Sequence, residues 1–320
     1  MPFDMDGSII NFSIERVGMK KLIGTIPVLI TPFDESGDVD TESLKRVIEY
    51  LMTYKIGGLW VLGTGSEDMN LTFSKRLKVA QAVCESVSGR VPIVLGAGFF
   101  AFEDTIRFFR ETMDLCADYY HVMPYHPLIS SSQLERYYLR LAEIAPSPLW
   151  LYTSGNWSQQ LPLNVIGRLK CHPNIAGIKF SNRITTDLQS VIAMADDVFQ
   201  VVTAVARQTA TCYMLGSQAH TSSIASVVPG ALNEIYELVH NGRFSEAIQK
   251  QNEFNLFMDQ LPLSIKKDNF LGAAEEKYML SLLGLCKPYT SFYYRDLDES
   301  ERKQVEDALL GSSYLRGQLK

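Results

Sequence analysis

The sequence predicts an α/β fold: a closed (β/α)8 TIM barrel of parallel strands, each followed by a helix, with a helical appendage at the C-terminal end. Three observations predict it. From residue 24 onward, short apolar runs of strand length alternate with stretches of helical periodicity. Eight such units fit within roughly 220 residues, a size at which a parallel sheet closes on itself. Beyond residue 243 the apolar runs stop while the helical periodicity continues. An open doubly wound sheet would also absorb these units, but it would more often leave a two-part division, and none is visible.

The eight runs, in chain order, are TIPVLI, GLWVLG, VPIVLG, DYYHVM, PLWLYT, IAGIKF, FQVVTA and HTSSIA. The last has the weakest strand character, because Thr221, Ser222 and Ser223 interrupt it. The first helix shows Leu44, Val47, Ile48, Leu51 and Met52 at helical spacing, with Asp40 or Thr41 able to cap its start. Similar stretches fall near 74–88, 102–115, 133–145, 162–170, 184–195, 207–215 and 230–241. Three more follow near 244–260, 268–284 and 297–312. The domain reading is therefore an N-terminal extension over 1–21, a barrel over 22–243 and a helical region over 244–320.

Composition narrows the function classes. The chain has 320 residues, 46% hydrophobic and 21% charged, which is ordinary for a protein with a substantial core. Its net charge is -6 and no basic run exceeds two residues, which argues against a nucleic-acid partner. Cys84, Cys116, Cys171, Cys212 and Cys286 are scattered and never spaced as CxxC, so neither a disulfide framework nor a zinc site is expected. Residues 1–23 carry Asp4, Asp6, Glu15 and Arg16 and no long apolar run. Neither a signal peptide nor a membrane span is expected, and the expected compartment is the cytoplasm.

One residue breaks the apolar pattern. Lys179 lies inside NIAGIKFSN, residues 174–182, near the C-terminal end of the sixth strand, where barrel enzymes place their chemistry. Alternation puts it on the face of Ile175 and Gly177, with Ile178 and Phe180 on the other. Such a lysine either snorkels into solvent or is held desolvated, which lowers its pKa and lets the neutral amine attack a carbonyl. The second use needs a proton shuttle and an anion cradle. Tyr152, at the end of PLWLYT, is a candidate shuttle, and otherwise a packing residue. Thr64, Gly65 and Ser66, in GTGSED, can offer hydroxyls and backbone N–H groups to a carboxylate, and otherwise form an ordinary strand–helix turn.

Together these segments resemble the dihydrodipicolinate synthase/N-acetylneuraminate lyase family of class I pyruvate aldolases. GTIPVLITPFDESGDVD is similar to the family's opening strand and loop, and GTGSE at 63–67 to its GTTGE or GSTGE turn. VMPY at 122–125 matches its strand ending in Pro-Tyr, GIKFS at 177–181 its GIK strand, and RDLDESERKQVEDAL at 295–309 its closing helix. The resemblance implies a barrel with C-terminal helices, assembled as a homo-oligomer, a tetramer or dimer. It implies that Lys179 forms an iminium with pyruvate or another 2-oxo acid and that Tyr152 is the general acid and base. Thr64 would join the proton relay, and residues 64–66 would hold the carboxylate. The partner would be an aldehyde-type substrate, the bond C–C or C–O, and no metal or organic cofactor would be required.

The chain also departs from the family's pattern. Gly65 and Ser66 replace a second consecutive hydroxyl position in the turn. Trp157 stands where the synthases carry an arginine for the second substrate's carboxylate, which argues against a true dihydrodipicolinate synthase. Trp157, with Asn156 beside it, offers an apolar or stacking wall instead. His126 replaces a second relay tyrosine that commonly crosses a subunit interface. His220 and Thr221 make the last strand bulkier and more polar. Three rival readings use other features. Gly96, Gly98 and Ala101 mimic a dinucleotide fingerprint. His121 and His126 are the one close histidine pair a metal-dependent aldolase would draw on. A relative with altered cradle and relay would bind a 2-oxo acid as a sensor or scaffold without turning it over.

Overall fold

The computed structural model describes residues 19–126, 128–154, 159–269 and 272–312. Eight parallel strands form one sheet: β1 Gly24–Pro27, β2 Leu59–Val61, β3 Ile93–Gly96, β4 Tyr119–Val122, β5 Leu149–Ser154, β6 Ile175–Ser181, β7 Gln200–Thr203 and β8 Ala219–Ser222. Its order runs β1-β8-β7-β6-β5-β4-β3-β2. The two ends meet through a parallel bridge between Val28 and Trp60, and the Leu29 N–H donates to the Trp60 carbonyl at 2.9 Å. The sheet is thus a barrel, as the run spacing predicted.

Helices alternate with the strands: α1 Thr41–Met52, α2 Phe73–Val87, α3 Phe102–Thr112, α4 Ser131–Ile144, α5 Leu163–Leu169, α6 Thr185–Ile192, α7 Thr209–Met214 and α8 Pro229–His240. Four more follow, α9 Phe244–Gln260, α10 Leu263–Asp268, α11 Ala274–Leu282 and α12 Glu299–Gly311. Local chemistry sets their starts. Asp40, not Thr41, caps α1 by accepting the Ser43 N–H. Ser130–Gln133 and Asp298–Glu301 form reciprocal capping boxes on α4 and α12. On α1, Leu44, Val47, Ile48 and Leu51 are buried, the stripe that period 3.6 requires.

Two apolar layers result. Ile26, Trp60, Val94, Trp150, Tyr152 and Val202 belong to a cluster inside the barrel. A larger cluster, including Leu44, Ile178 and Phe180, fills the shell between strands and helices.

Three local expectations change. The run HTSSIA is strand only to Ser222, and Ile224–Ser226 forms a 3-10 turn. The Ser226 hydroxyl donates to the Val28 carbonyl at 2.6 Å, which binds this turn to the end of β1. The helix expected over 268–284 is shorter: α11 begins only at Ala274, and a separate α10 ends at Asp268. Asn269 leaves helical geometry and pairs with the Arg295 backbone, accepting its N–H at 3.0 Å and donating to its carbonyl at 2.5 Å. Third, Ile175 does not share a face with Lys179. The β5–β6 register slips between Leu149 and Trp150, which pair with Ile175 and Gly177, so Ala176 is an extra residue. Ile175 accordingly packs in the outer shell while Ala176 packs inside.

Candidate active site

Lys179 and Tyr152 are register partners on neighbouring parallel strands, so their side chains project together into the barrel. Lys179 is 4% exposed. Its Nζ lies 4.4 Å from the centre of the Tyr152 ring and 4.8 Å from the Trp60 ring. No carboxylate is within ion-pair distance of it among the described residues. Burial lowers its pKa from 10.5 to about 7, and the charge of Asp68 opposes that shift. Gly177, two residues before the lysine, serves close packing: a Cβ there would stand 2.4 Å from the Gln200 carbonyl and 2.7 Å from the Trp150 ring.

The Tyr152 hydroxyl shares a 3.1 Å hydrogen bond with Thr64 Oγ1. Burial raises its pKa, against the lowering effect of the Thr64 bond, so the phenol keeps its proton at neutral pH. The Tyr138 hydroxyl on α4 fixes the strand: it accepts the Tyr152 N–H at 3.2 Å, and its single proton is shared between the Val122 carbonyl at 2.7 Å and the Tyr152 carbonyl at 2.9 Å. Thr64, Gly65 and Ser66 form a 3-10 turn after β2. Gly65 is tightly placed, since a Cβ there would lie 3.1 Å from the Ser223 Cβ. Ser66 Oγ and, on β8, Thr221 Oγ1 are buried without a hydrogen-bond partner among the described residues. Buried hydroxyls are normally paired, so both are donors available to an anion or hydroxyl.

Not every residue expected at the site is gathered there. His126 lies on the loop after β4, where its ring stacks on Phe100 at 5.1 Å and lines a cavity of about 270 Å³ with Phe99, Phe100 and Tyr125. Asn156 and Trp157 lie outside the described residues. His220 sits on the face opposite Thr221, bonded to Thr203 Oγ1 at 2.9 Å and against Tyr213 of α7. Of that pair only Thr221 faces inward.

Three residues not assigned to the site from the sequence, Tyr125, Asp68 and Arg76, complete the surroundings together with His121. The Tyr125 hydroxyl donates to Asp68 Oδ2 at 2.5 Å, and Arg76 Nη2 lies 3.6 Å from the same oxygen. Arg76 also donates to the Gly98 carbonyl and lies over the Phe99 ring. Burial raises the Asp68 pKa, while Arg76, Tyr125 and Lys179 pull it down. His121 stacks on Trp60 at 4.5 Å and shares a 2.9 Å hydrogen bond with the Val61 carbonyl. Burial, reinforced by the Lys179 charge, lowers its pKa to about 3, so it is a neutral packing group. The sequence signal for Asp68 was its place in the same short turn as Thr64. The signal for Tyr125 was its place at the end of the VMPY motif, next to His126.

The rival features have structural explanations. A Cβ at Gly96 would collide with the Leu62 carbonyl at 2.1 Å, and one at Gly98 with the Met123 carbonyl at 2.9 Å. These glycines serve close backbone packing in a closed barrel. His121 and His126 do not converge, and no group of three or more His, Cys, Asp or Glu side chains suited to a metal is gathered among the described residues.

Comparison with known proteins decides the relationship. The family model for the dihydrodipicolinate synthetase family matches residues 21–310. The chain belongs to this family. Its members are aldolase-type lyases, and the chain is a divergent one. It is 30% identical over 270 residues to a 4-hydroxy-tetrahydrodipicolinate synthase of Methanosphaerula palustris, covering 81% of this chain and 92% of that protein. It is 28% identical over 297 residues to the same-named protein of Methanoculleus marisnigri, covering 90% and 98%. Among solved structures, dihydrodipicolinate synthase from Bacteroides thetaiotaomicron superposes with a TM-score of 0.84 at 24% identity, covering 90% of this chain and 98% of that one. A prophage protein of the family from E. coli K12, solved in complex with pyruvate, gives 0.82 at 22%, covering 90% and 97%. These two likenesses are of fold. No helix among the described residues is long and apolar enough to cross a membrane.

Proposed function

We propose that this protein is a Schiff-base-forming lyase or aldolase acting on pyruvate or another 2-oxo acid. The observation that carries the proposal is a buried amine, Lys179, with no ion-pair partner among the described residues, set against a phenol, Tyr152, that is hydrogen-bonded to Thr64. The neutral amine attacks the ketone carbon and gives a carbinolamine. The Tyr152 phenol donates a proton to the departing hydroxyl, water leaves, and an iminium to Lys179 forms. The Tyr152 phenolate takes a C3 proton to yield an enamine; in the condensing direction its carbon attacks an aldehyde, and the regenerated phenol protonates the new alkoxide. Cleavage runs through the same species in reverse. Thr64 orients the phenol, while Ser66 Oγ, the Gly65–Ser66 backbone and Thr221 bind the carboxylate. His126, Asn156 and Trp157 are assigned to the side of the aldehyde-type partner. Without an arginine at 157, a second substrate lacking a carboxylate is favoured over that of a true dihydrodipicolinate synthase.

Further assignments belong to the same reading. The chain divides into a catalytic barrel over 22–243 and a helical region over 244–320, preceded by an extension over 1–21. A homo-oligomer, tetramer or dimer, is supported by Phe292 and Tyr293, which are 96% and 79% exposed. The cytoplasm is supported by five free cysteines.

The test is chemical trapping. Incubation with pyruvate and borohydride should leave a reduced adduct on the peptide containing Lys179, and none in Lys179→Ala. Turnover is then measured with pyruvate and a panel of aldehydes. An adduct without turnover of any aldehyde would turn the reading toward a 2-oxo-acid-binding relative. No adduct at Lys179 with any 2-oxo acid would remove the proposal.

A further inference from the structure

The turn that carries Thr64 is not held by the barrel alone. It consists of two 3-10 turns, Thr64–Ser66 and Asp68–Asn70, joined at Glu67. Glu67 adopts left-handed backbone, with φ 60° and ψ 28°. A residue with a Cβ holds that conformation only when its surroundings impose it. The surroundings here come from the far end of the chain. Glu67 Oε1 lies 2.7 Å from Nζ of Lys277 on α11, and both side chains are 0% exposed. Glu67 Oε2 accepts the Ser291 N–H at 2.8 Å. Asn70 Nδ2 donates to Ser291 Oγ at 2.7 Å. On the other side of the turn, Ser223, which packs against Gly65, donates to Glu276 of α11 at 2.7 Å.

An ion pair sealed from water does not exchange its partners for solvent, so separating it leaves two uncompensated charges. This one therefore has one low-energy geometry, and Glu67 cannot relax to ordinary backbone without breaking it. Relaxation there would swing Thr64 on one side and Asp68 on the other. Thr64 holds the Tyr152 phenol and Asp68 holds Tyr125.

We infer that Glu67 and Lys277 are positioning residues, a buried tether from the C-terminal helices that sets the Thr64 hydroxyl against the Tyr152 phenol, a role that rests on the function proposed above. The tether touches no substrate. It acts on proton transfer through Thr64 and leaves the amine of Lys179 where it is.

The test combines an activity cycle with a measurement that needs no activity. In Lys277→Met, amide hydrogen exchange of the peptide spanning 63–71 should speed up by about 10-fold or more, with the β5 and β6 peptides unchanged. Borohydride trapping at Lys179 should reach the same yield as in the unaltered chain. Turnover should fall by about 10-fold or more, with KM for the 2-oxo acid within about threefold. Adding Thr64→Val to Lys277→Met should lower turnover no further than Thr64→Val alone, because both act on one hydrogen bond. Unchanged exchange over 63–71, or losses that multiply in the double variant, would overturn the inference. If Lys277→Met does not fold, Glu67→Gln, which keeps an acceptor for the Ser291 N–H and removes the charge paired with Lys277, enters the same cycle under the same criteria, with a loss of about threefold expected. Failure to trap Lys179 in the unaltered chain would instead remove the proposed function, and the exchange result would still decide whether the tether holds the turn.

Discussion

At the scale of single residues, the site turns on how the protein divides protons between an amine and a phenol. Lys179 has lost much of its basicity to burial, and Tyr152 has lost much of its acidity to the same cause. A neutral nucleophile thus faces a protonated acid at neutral pH, the pairing that carbinolamine dehydration requires. Tyr152→Phe should retain some borohydride-trapped adduct while slowing turnover by ~10²-fold or more, and unchanged turnover would take the phenol out of the mechanism. Asp68 supplies the charge that opposes the shift at Lys179. Asp68→Asn removes that support and leaves Arg76 facing the site, so the Lys179 pKa should fall further. The rising limb of adduct formation against pH, expected near pH 7 in the unaltered chain, should move to lower pH by about one unit. A limb that stays or moves up would contradict the assignment. Part of this chemistry was readable beforehand. A lysine inside an apolar strand is an anomaly that periodicity exposes, and a tyrosine one unit earlier invites the pairing. Asp68 was readable only as a member of the Thr64 turn, and Arg76 not at all, because their pairing comes from the fold of that turn onto a helix.

At the scale of elements, the barrel's strands and the first helical faces follow from period-2 and period-3.6 patterns, which depend only on which residues are apolar. The departures arise where side chains override that pattern. Asn269 breaks a helical stretch by taking up the Arg295 backbone, and Ser226 turns the chain after β8 by reaching Val28. The bulge at Ala176 moves Ile175 to the outer shell, yet leaves Lys179 facing inward. Beside the bulge, the Gln200 carbonyl and the Trp150 ring fill the space a side chain at Gly177 would need. Gly177→Ala would put a methyl 2.7 Å from the indole and 2.4 Å from the Gln200 carbonyl, and backbone cannot give way there as a flexible side chain can. The expected outcome is a loss of about 1–3 kcal/mol in denaturant unfolding, read as a lower midpoint. A variant as stable as the parent would mean that the sixth strand has slack beside its neighbour.

At the scale of the whole molecule, closure of the barrel and the grip of the C-terminal helices join residues far apart in sequence, such as Glu67 and Lys277, and no local pattern announces such pairs. The same burial has a thermodynamic consequence for the fold. An amine whose pKa is about 7 in the folded protein and 10.5 when unfolded works against folding. Above pH 10.5 the amine is neutral in both states and contributes nothing. As pH falls from there toward 7, the unfolded chain binds a proton that the folded chain does not, and stability drops. Below pH 7 both states hold the proton and the full penalty remains, on the order of 3–5 kcal/mol. Lys179→Met keeps the length and apolar stem of the side chain and removes the charge. The variant should therefore be more stable than the parent at pH 6, by about 2–3 kcal/mol more than at pH 9.5, in paired denaturant titrations. Other groups that titrate in this range cancel in the difference, since both chains carry them. A difference independent of pH would mean that the amine keeps its ordinary basicity inside the barrel, and a neutral nucleophile at physiological pH would have no physical basis.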